Sequence, residues 1–153
     1  MVVVILGIFI ALATPRFRLT YFDLELSSQA RSLAKFLTYA QERAVVERKV
    51  YRLEIDPTGR RYWLTVEVEK EGEEETQFAR MEGRYGRIVQ LPPGLSLEFQ
   101  KQEILFYPDG SADPFTLSLR NQEGRGLVLK NGSPFGYVRI EETQPTSQRI
   151  FAF

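Results

Sequence analysis

The chain of 153 residues contains no cysteine and no histidine. Without cysteine it has no disulfide, no thiolate nucleophile and none of the thiolate ligands of structural zinc sites. Without histidine it also lacks the side chain that most often acts as a general base near neutral pH. The sequence therefore indicates no catalytic residue, metal ligand or cofactor-binding residue, and we expect a protein that is not an enzyme and has no cofactor.

The chain also has no net charge, since 20 Lys and Arg residues balance 20 Asp and Glu residues. This balance provides no overall field that would attract nucleic acid, so binding to a polyanion would need a local basic surface. The arginines that could form one are scattered in the sequence: Arg80, Arg84, Arg87, Arg120, Arg125, Arg139 and Arg149. Nucleic acid is therefore not the expected partner, and a surface assembled from these arginines is an alternative.

Residues 1–13 form a wholly apolar segment. As a helix this segment would be roughly 20 Å long, whereas the hydrocarbon core of a bilayer is about 30 Å thick. No basic residue precedes it, although signal peptides and N-terminal anchors normally have one. We therefore expect a membrane anchor that lacks its first residues. Cleavage of a signal peptide after Ala13 is the alternative, because Ala11 and Ala13 match the small residues of such a site.

Beyond Pro15 the apolar residues recur every three or four positions, which predicts an amphipathic helix over residues 16–49. Its apolar face comprises Leu19, Phe22, Leu26, Ala30, Leu33, Leu37, Ala40 and Ala44. Pro15 either opens this helix or lies within a longer one that includes the apolar segment. The simplest prediction is one long rod, apolar all round at its N-terminal end and amphipathic beyond.

From Val50 the periodicity changes to two, which predicts β-strands. Tyr51–Ile55 and residues 62–68 alternate apolar and polar residues on either side of a turn at 56–59, as in a hairpin with one buried face. Further strands are predicted at 87–90, 95–100, 104–107, 115–120, 127–130, 135–141 and 149–153. Turn formers separate them, and Asn131-Gly132 favours a type I′ hairpin. The fold class is therefore α+β, with a long N-terminal helix packed on an antiparallel sheet or on two sheets.

Three local features suggest sites, and each has a plainer interpretation. The acidic stretch 67–75 lacks the ligand spacing of a calcium loop, and we expect a solvated hairpin tip. Residues 109–113 resemble a metal loop, but no glutamate follows at the required distance, so we expect a tight turn. Trp63 lies on the polar face of its strand, where it would anchor an interface or pack beneath a neighbouring loop or sheet.

Several motifs together resemble the type IV pilin-like proteins, in particular the H-type minor pseudopilins of type II secretion and their FimT-like relatives. The membrane helix of that family has a proline eight residues after a glycine, as Gly7 and Pro15 are spaced here. The H-type pattern continues in the helix at 30–48 and the turn at 56–59. It ends with Leu-Pro-Pro-Gly at 91–94 and Ile-Leu-Phe-Tyr-Pro-Asp-Gly-Ser at 104–111.

The resemblance implies a pilin-like fold with three regions. These are a truncated transmembrane or filament-core segment at 1–15, an amphipathic helix at 16–49 and a periplasmic β domain at 50–153. The residues expected to pack in the membrane or filament are Val2, Val3, Val4, Ile5, Leu6, Gly7, Ile8, Phe9, Ile10, Leu12 and Pro15. The residues expected to contact a neighbouring subunit are Leu19, Phe22, Leu26 and Trp63. By the same resemblance, a leader and the helix-start glutamate of the family would precede Met1.

We therefore expect a minor pseudopilin of the type II secretion pseudopilus, a single-pass protein of the bacterial inner membrane with its C-terminal domain in the periplasm. Its expected partners are other pseudopilin or pilin subunits, inner-membrane lipid before assembly, and prepilin peptidase for a full-length precursor. Two alternatives stay open. One is a minor type IV pilin in pilus assembly or DNA uptake, and the other is an exported enzyme or binding module with a clipped signal peptide.

Overall fold

The computed structural model describes residues 2–143, with the backbone alone described at residue 2 and at residues 6–22. The chain begins with one helix, α1 (Val2–Glu47), which continues through Pro15. Pro15 therefore lies within a longer helix, and the predicted single rod is confirmed.

Between Lys49 and residue 143, the structure contains nine strands. They are β1 (Tyr51–Ile55), β2 (Arg61–Val68), β3 (Gln77–Arg80), β4 (Val89–Gln90), β5 (Ser96–Phe99), β6 (Glu103–Phe106), β7 (Thr116–Arg120), β8 (Gly126–Asn131) and β9 (Val138–Thr143). One 3₁₀ turn, Arg84–Gly86, lies between β3 and β4.

These strands form two antiparallel sheets. The first sheet has the order β3-β2-β1-β6, and the short strand β4 pairs with the start of β2. The second sheet has the order β5-β7-β8-β9. Helix α1 packs against β1 and β6 of the first sheet and against β7, β8 and β9 of the second. This arrangement, a long N-terminal helix on two antiparallel sheets, confirms the predicted fold class.

The core lies between the apolar stripe of α1 and the alternating strands. The helix contributes Leu26, Ala30, Leu33, Phe36, Leu37, Ala40 and Ala44, all of them buried. In β1 the buried residues are Tyr51, Leu53 and Ile55. A helix with a period of 3.6 residues and a strand with a period of two can each bury one face, so the two patterns read from the sequence meet in one core.

The turn between β1 and β2 joins the two sheets. Gly59 has a φ of +69°, and its carbonyl oxygen accepts a hydrogen bond of 2.9 Å from the amide of Leu97 in β5. The carboxylate of Asp56 accepts hydrogen bonds of 2.7 Å from both the hydroxyl and the amide of Thr58, and one of 2.6 Å from Arg61. These hydrogen bonds hold the pKa of Asp56 at about 2, so the turn is organised around an ionised carboxylate.

Two strand predictions need correction. Strand β3 was not predicted, because its sequence, Gln-Phe-Ala-Arg, has no apolar alternation. The strand predicted at 135–141 begins only at Val138, because residues 133–136 form a turn that is closed by a 2.9 Å hydrogen bond from the amide of Gly136 to the carbonyl of Ser133. The strand predicted at 149–153 lies outside the described residues.

The type I′ hairpin predicted at Asn131-Gly132 is wrong. Asn131 and Val138 are the last paired residues of β8 and β9, so six residues connect these strands. The side chain of Asn131 accepts a 2.9 Å hydrogen bond from the amide of Phe115 and donates one of 3.1 Å to the carbonyl of Asp113. Asn131 therefore fixes the segment before β7 rather than forming a two-residue turn.

Candidate interaction surfaces

The N-terminal end of α1 is the first candidate surface. Val3, Val4 and Ile5 expose 81%, 66% and 54% of their surface. Contiguous exposed apolar surface of this kind marks contact with another protein or with lipid. In the part of the chain that the structure describes, no helix is both long and apolar enough to cross a membrane.

All the other residues predicted to pack in the membrane or filament have only their backbone described, and that backbone is helical. They are Val2, Leu6, Gly7, Ile8, Phe9, Ile10, Leu12 and Pro15. The same holds for Leu19 and Phe22, which were predicted to contact a neighbouring subunit. The contacts of these side chains therefore stay predictions.

Leu26 was also predicted to contact a neighbouring subunit, and it faces the core of its own domain. Its side chain is 4% exposed. Close to it, Asp23 forms an ion pair of 2.5 Å with Arg125 in the turn between β7 and β8. Further along the helix, Nε2 of Gln41 donates a 3.0 Å hydrogen bond to the carbonyl of Gly110. Polar contacts thus attach both ends of the buried part of α1 to the sheets.

The outer face of the first sheet, around Trp63, is the second candidate surface. Trp63 is directly opposite Glu54 in the β1–β2 ladder, and its Nε1 donates a 2.6 Å hydrogen bond to Oε2 of that residue. Arg52 forms an ion pair with Glu54 and lies over the ring of Phe78, 4.0 Å from its centroid. The indole is therefore half-buried and oriented by its neighbours within the sheet, and its role as an interface anchor stays a prediction.

The acidic stretch forms the connection between β2 and β3, which confirms the predicted hairpin tip. The two strands pair from Thr65 and Arg80 to Val68 and Gln77. The connection itself, residues 69–76, is exposed throughout. Exposed charge at a hairpin tip is readily solvated, so the tip needs no ligand to account for it.

The loop at 109–113 is a tight turn, as predicted. The amide of Gly110 donates a 3.0 Å hydrogen bond to the carbonyl of Tyr107. Oδ1 of Asp109 accepts hydrogen bonds from the hydroxyl and amide of Ser111, at 2.5 and 2.9 Å, and these lower the pKa of Asp109. Among the residues with described side chains, no three acidic groups are arranged to hold a metal ion.

The structure separates the seven scattered arginines. Arg120 and Arg125 form ion pairs with acidic residues of other elements. Arg139 lies on β9, and Arg149 lies outside the described residues. Three arginines occur close together in the sequence, in a segment that we call the basic loop (residues 80–87): Arg80 at the end of β3, and Arg84 and Arg87 in the connection that follows it.

The basic loop is fixed against α1 by aromatic contacts. The ring of Tyr85 stacks on that of Tyr39, with 3.8 Å between the centroids and 11° between the planes, and it lies 5.2 Å from the ring of Phe36. Gly86 packs so closely on the main chain of Met81 that an added Cβ would lie 1.6 Å from the carbonyl oxygen of Met81. The arginines of this loop therefore emerge from a backbone of fixed conformation.

The third candidate surface is a pair of exposed aromatic side chains that the sequence analysis did not identify as a surface. Phe135 and Tyr137 expose 65% and 67% of their surface in the loop between β8 and β9. The sequence prediction placed both in a strand, where alternate residues share a face. The sequence did contain a pattern that argues against a strand here. Phe135 lies between two turn formers, Pro134 and Gly136, which favour a loop over a strand.

Comparisons with known proteins agree with this architecture. A family model described as Type II transport protein GspH matches residues 29–133, which is more than half of the chain. The matched segment begins within α1 and extends just beyond β8. No curated protein matches the chain.

Solved structures of the minor pseudopilin EpsH from the type 2 secretion system of Vibrio cholerae share the fold. Two of them match with TM-scores of 0.62 and 0.61 at 20% and 16% identity, covering 77% and 76% of this chain and 97% and 95% of EpsH. The type IV minor pilin FimU of Pseudomonas aeruginosa matches with a TM-score of 0.56 at 20% identity, covering 78% of this chain and 98% of FimU. At these identities the likeness shows a common fold.

Proposed function

Because the chain belongs to the GspH family of type II transport proteins, we propose that it is a minor pseudopilin, a structural subunit of the type II secretion pseudopilus. The observation that carries this proposal is the division of one helix into two parts. Residues from Leu26 to Ala44 bury their apolar face in the domain, whereas Val3, Val4 and Ile5 of the same helix expose theirs. A subunit that inserts one end of its helix among other helices requires this division.

The physical basis is the cost of leaving the N-terminal end in water. Burial of apolar area contributes about 25 cal/mol per Å², and within the described residues the three exposed aliphatic side chains are covered by nothing. Lipid of the inner membrane covers them before assembly, and the helices of neighbouring subunits cover them in the filament. The β domain then lies in the periplasm, and a full-length precursor is processed by prepilin peptidase.

The partners in this proposal are other pseudopilin subunits. We predict that two surfaces contact them, the helix with Leu19 and Phe22 and the sheet face with Trp63. Tryptophan and arginine are common in the centres of interfaces, and Trp63 lies beside Arg52 in an ordered network. The role is structural, as in the proteins that share this fold, and requires no catalytic group.

A second candidate is a minor subunit of a type IV pilus. The fold likeness to FimU favours this candidate. The match covers 98% of FimU, as complete as the 97% of EpsH that is covered. A pilus subunit would use the same helix, so the geometry of this chain suits both assemblies. DNA uptake belongs to this candidate, with the basic loop as the cluster of arginines available for it.

Deletion of the gene in its own bacterium tests the proposal and separates it from the second candidate. A pseudopilin is required for export of type II cargo, so the deletion strain should lose cargo from the culture medium and keep its surface pili. Loss of pili with unchanged export would assign the chain to the pilus instead. Unchanged export and unchanged pili would contradict both candidates.

Complementation with helix variants tests the role of the N-terminal end. Val4→Lys places a charge where the proposal needs lipid or apolar helices, which costs about 3 kcal/mol at the centre of a membrane helix. Ser28→Lys, on an exposed position of the folded part of the helix, is the matched control. We expect Val4→Lys to fail to restore export and Ser28→Lys to restore it. Equal restoration by both variants would argue against insertion of this end of the helix.

A further inference from the structure

Two exposed aromatic side chains, Phe135 and Tyr137, lie in the loop between β8 and β9. We call them the aromatic pair. The residue before Phe135 fixes the position of the loop, because the carbonyl oxygen of Pro134 accepts a 2.8 Å hydrogen bond from the amide of Ala112. The aromatic pair therefore lies beside the turn at 109–113, which follows β6.

The turn at 109–113 packs against the last turns of α1. The carbonyl oxygen of Gly110 accepts a 3.0 Å hydrogen bond from Nε2 of Gln41, and a Cβ added at Gly110 would lie 3.7 Å from Cγ2 of Val45. Val45 and Val46 are themselves 46% and 71% exposed. Exposed apolar side chains of the helix and of the loop thus occur together at the C-terminal end of α1, which we call the distal end of the domain.

The acidic tip (residues 69–75), which follows β2, lies at the same end. Near the start of β2, the ring of Tyr62 contacts that of Phe36. Near its end, β2 pairs with Tyr51, whose hydroxyl donates a hydrogen bond to Glu47 in the last turn of α1. Strand β2 therefore runs toward the distal end, and the tip extends beyond the end of the helix. Its charged side chains, all of them exposed, are Glu69, Lys70, Glu71, Glu73, Glu74 and Glu75.

The distal end therefore presents apolar and acidic surface side by side. Strand β2 precedes the tip and strand β6 precedes the turn beside the aromatic pair. Only β1 lies between these two strands in the sheet. At about 4.8 Å per strand spacing, β2 and β6 are about 10 Å apart, so one partner can contact both features.

Lipid does not reach the distal end. The continuous helix from Val4 to Val45 is roughly 60 Å long at about 1.5 Å per residue. This length is about twice the thickness of the hydrocarbon core of a bilayer, which is about 30 Å. A membrane that surrounds Val4 therefore leaves the aromatic pair in water, and a protein partner is needed to cover it.

The opposite end of the domain does not match this surface, so a second copy of the chain is a poor occupant. Among the described side chains there, the groove between α1 and the second sheet is lined largely by polar residues: Asp23, Ser27, Arg125, Glu142 and Thr143. Asp23 and Arg125 neutralise each other in an ion pair, so Glu142 leaves the groove with a net negative charge. Copies stacked end to end would bring the acidic tip toward like charge and the aromatic pair toward polar groups.

We propose that the distal end docks a pilin-like subunit of a different kind, whose contacting surface combines an apolar patch with lysine or arginine side chains. The proposal rests on the function proposed above and specifies one partner contact within it. The aromatic pair provides the anchors, since tyrosine and phenylalanine are enriched in interfaces. The acidic tip favours a basic partner and speeds its association. A contact between unlike subunits does not continue from copy to copy, as suits a minor subunit.

The exposed area of the aromatic pair is sufficient for an anchor. An aromatic side chain buries about 150–250 Å² when it is covered, so the pair, about two thirds exposed, offers roughly 250 Å². One partner contributes about 800 Å² to a stable interface. The pair alone therefore provides about a third of that area, and Val45, Val46 and the tip extend it.

Binding of the full chain to each of the other pilin-like subunits of its own bacterium, purified in nonionic detergent, tests the proposal. The aromatic variant is Phe135→Ser with Tyr137→Ser, and its control removes two exposed apolar side chains elsewhere, Leu24→Ser with Ile88→Ser. The tip variant is Glu71→Lys, Glu73→Lys and Glu74→Lys. Its control reverses three exposed glutamates outside the tip: Glu82→Lys, Glu123→Lys and Glu142→Lys. Circular dichroism establishes that each variant is folded.

We expect at least one of these subunits to bind the wild type and both controls. The aromatic variant should bind it about tenfold or more weakly at any salt concentration, as expected for the loss of interface anchors. The tip variant should bind about tenfold more weakly at low salt and nearly as well as the wild type at 0.5 M salt, because salt screens its contribution. In the deletion strain, the aromatic variant should fail to restore export and its control should restore it.

Three results would overturn the proposal. The first is equal binding by the aromatic variant and its control. The second is a wild type that binds none of the other subunits. The third is self-association of the wild type that the aromatic variant loses while binding to the other subunits is unchanged, which would identify a second copy as the occupant.

The export assay separates failure of this proposal from failure of the proposed function. If deletion of the gene abolishes export and the aromatic variant restores it fully, the distal contact is wrong and the pseudopilin assignment stands. If deletion leaves export unchanged while another subunit binds the distal end, the assignment is wrong and the docking surface stands.

Discussion

Replacement of Gly59 by alanine tests how the two sheets are joined. Gly59 lies in the turn between β1 and β2 with a φ of +69°, and the amide of Leu97 in β5 donates a hydrogen bond to its carbonyl. A Cβ at this position would lie 2.2 Å from the carbonyl oxygen of Leu97. Because the obstructing atom belongs to the backbone of a paired strand, it cannot move aside by a change of rotamer.

The expected loss of stability has three parts. A left-handed conformation costs a non-glycine residue about 1–2 kcal/mol. An overpacked methyl group against fixed atoms costs about 1–3 kcal/mol. Separation of the turn from β5 also loses a hydrogen bond worth about 1 kcal/mol. We therefore expect Gly59→Ala to lower the free energy of unfolding by about 3–6 kcal/mol, a large part of the total for a domain of this size.

Gly72→Ala is the matched control. Gly72 also has a positive φ, +91°, but nothing lies within 4 Å of an added Cβ. It should therefore lose only the conformational part, about 1–2 kcal/mol. Urea denaturation of the full chain in nonionic detergent, followed by the fluorescence of its single tryptophan, Trp63, measures both values. Equal losses in the two variants would refute the reasoning, because the contact between Gly59 and Leu97 would then contribute nothing.

Four further variants test other parts of the fold by the same denaturation assay. Leu37→Ala, at a fully buried helix position, should lose about 3 kcal/mol, whereas exposed Leu24→Ala should change stability by less than about 0.5 kcal/mol. Because the pKa of Asp56 is about 2 rather than 3.8, its carboxylate stabilises the fold above about pH 4, and this contribution disappears toward pH 2. Asp56→Asn should flatten that part of the pH profile, and an unchanged profile would contradict the assignment. Tyr85→Leu should lose about 1 kcal/mol of stacking on Tyr39 and speed amide hydrogen exchange in the basic loop; unchanged exchange would show that stacking does not fix the loop.

Periodicity in the sequence predicted the helix and the strands that bury one face. Both elements bury residues on a single side, and the pattern repeats several times in succession. This holds for the helical stripe from Leu26 to Ala44 and for the alternation in Tyr51–Ile55. A repeated pattern can be read without knowledge of the partner that covers it. The turns with a glycine at positive φ, such as Gly94 after two prolines and Gly110 after Pro-Asp, were predicted for an equally local reason.

Strand β3 and the basic loop could not be predicted in this way, because their conformation depends on contacts with distant residues. Residues 77–80 form a strand only because β2 offers them a partner. The turn Arg84–Gly86 is fixed by Tyr39, which is far away in the sequence and belongs to the helix. The three arginines lie within eight residues of the sequence, but the fixed conformation of the loop that carries them is a property of tertiary structure.

The continuity of α1 links the candidate surfaces to one another. The helix runs from Val2 to Glu47 without interruption, and its second half is attached to both sheets by the buried stripe, by the Asp23–Arg125 ion pair and by Gln41. A helix attached in this way cannot rotate about its axis relative to the domain without breaking the core. Packing of the N-terminal end among other helices therefore sets the direction in which Trp63 and the basic loop face. Disruption of the core beneath the helix, as in Leu37→Ala, should thus weaken assembly even where the exposed surfaces are unchanged.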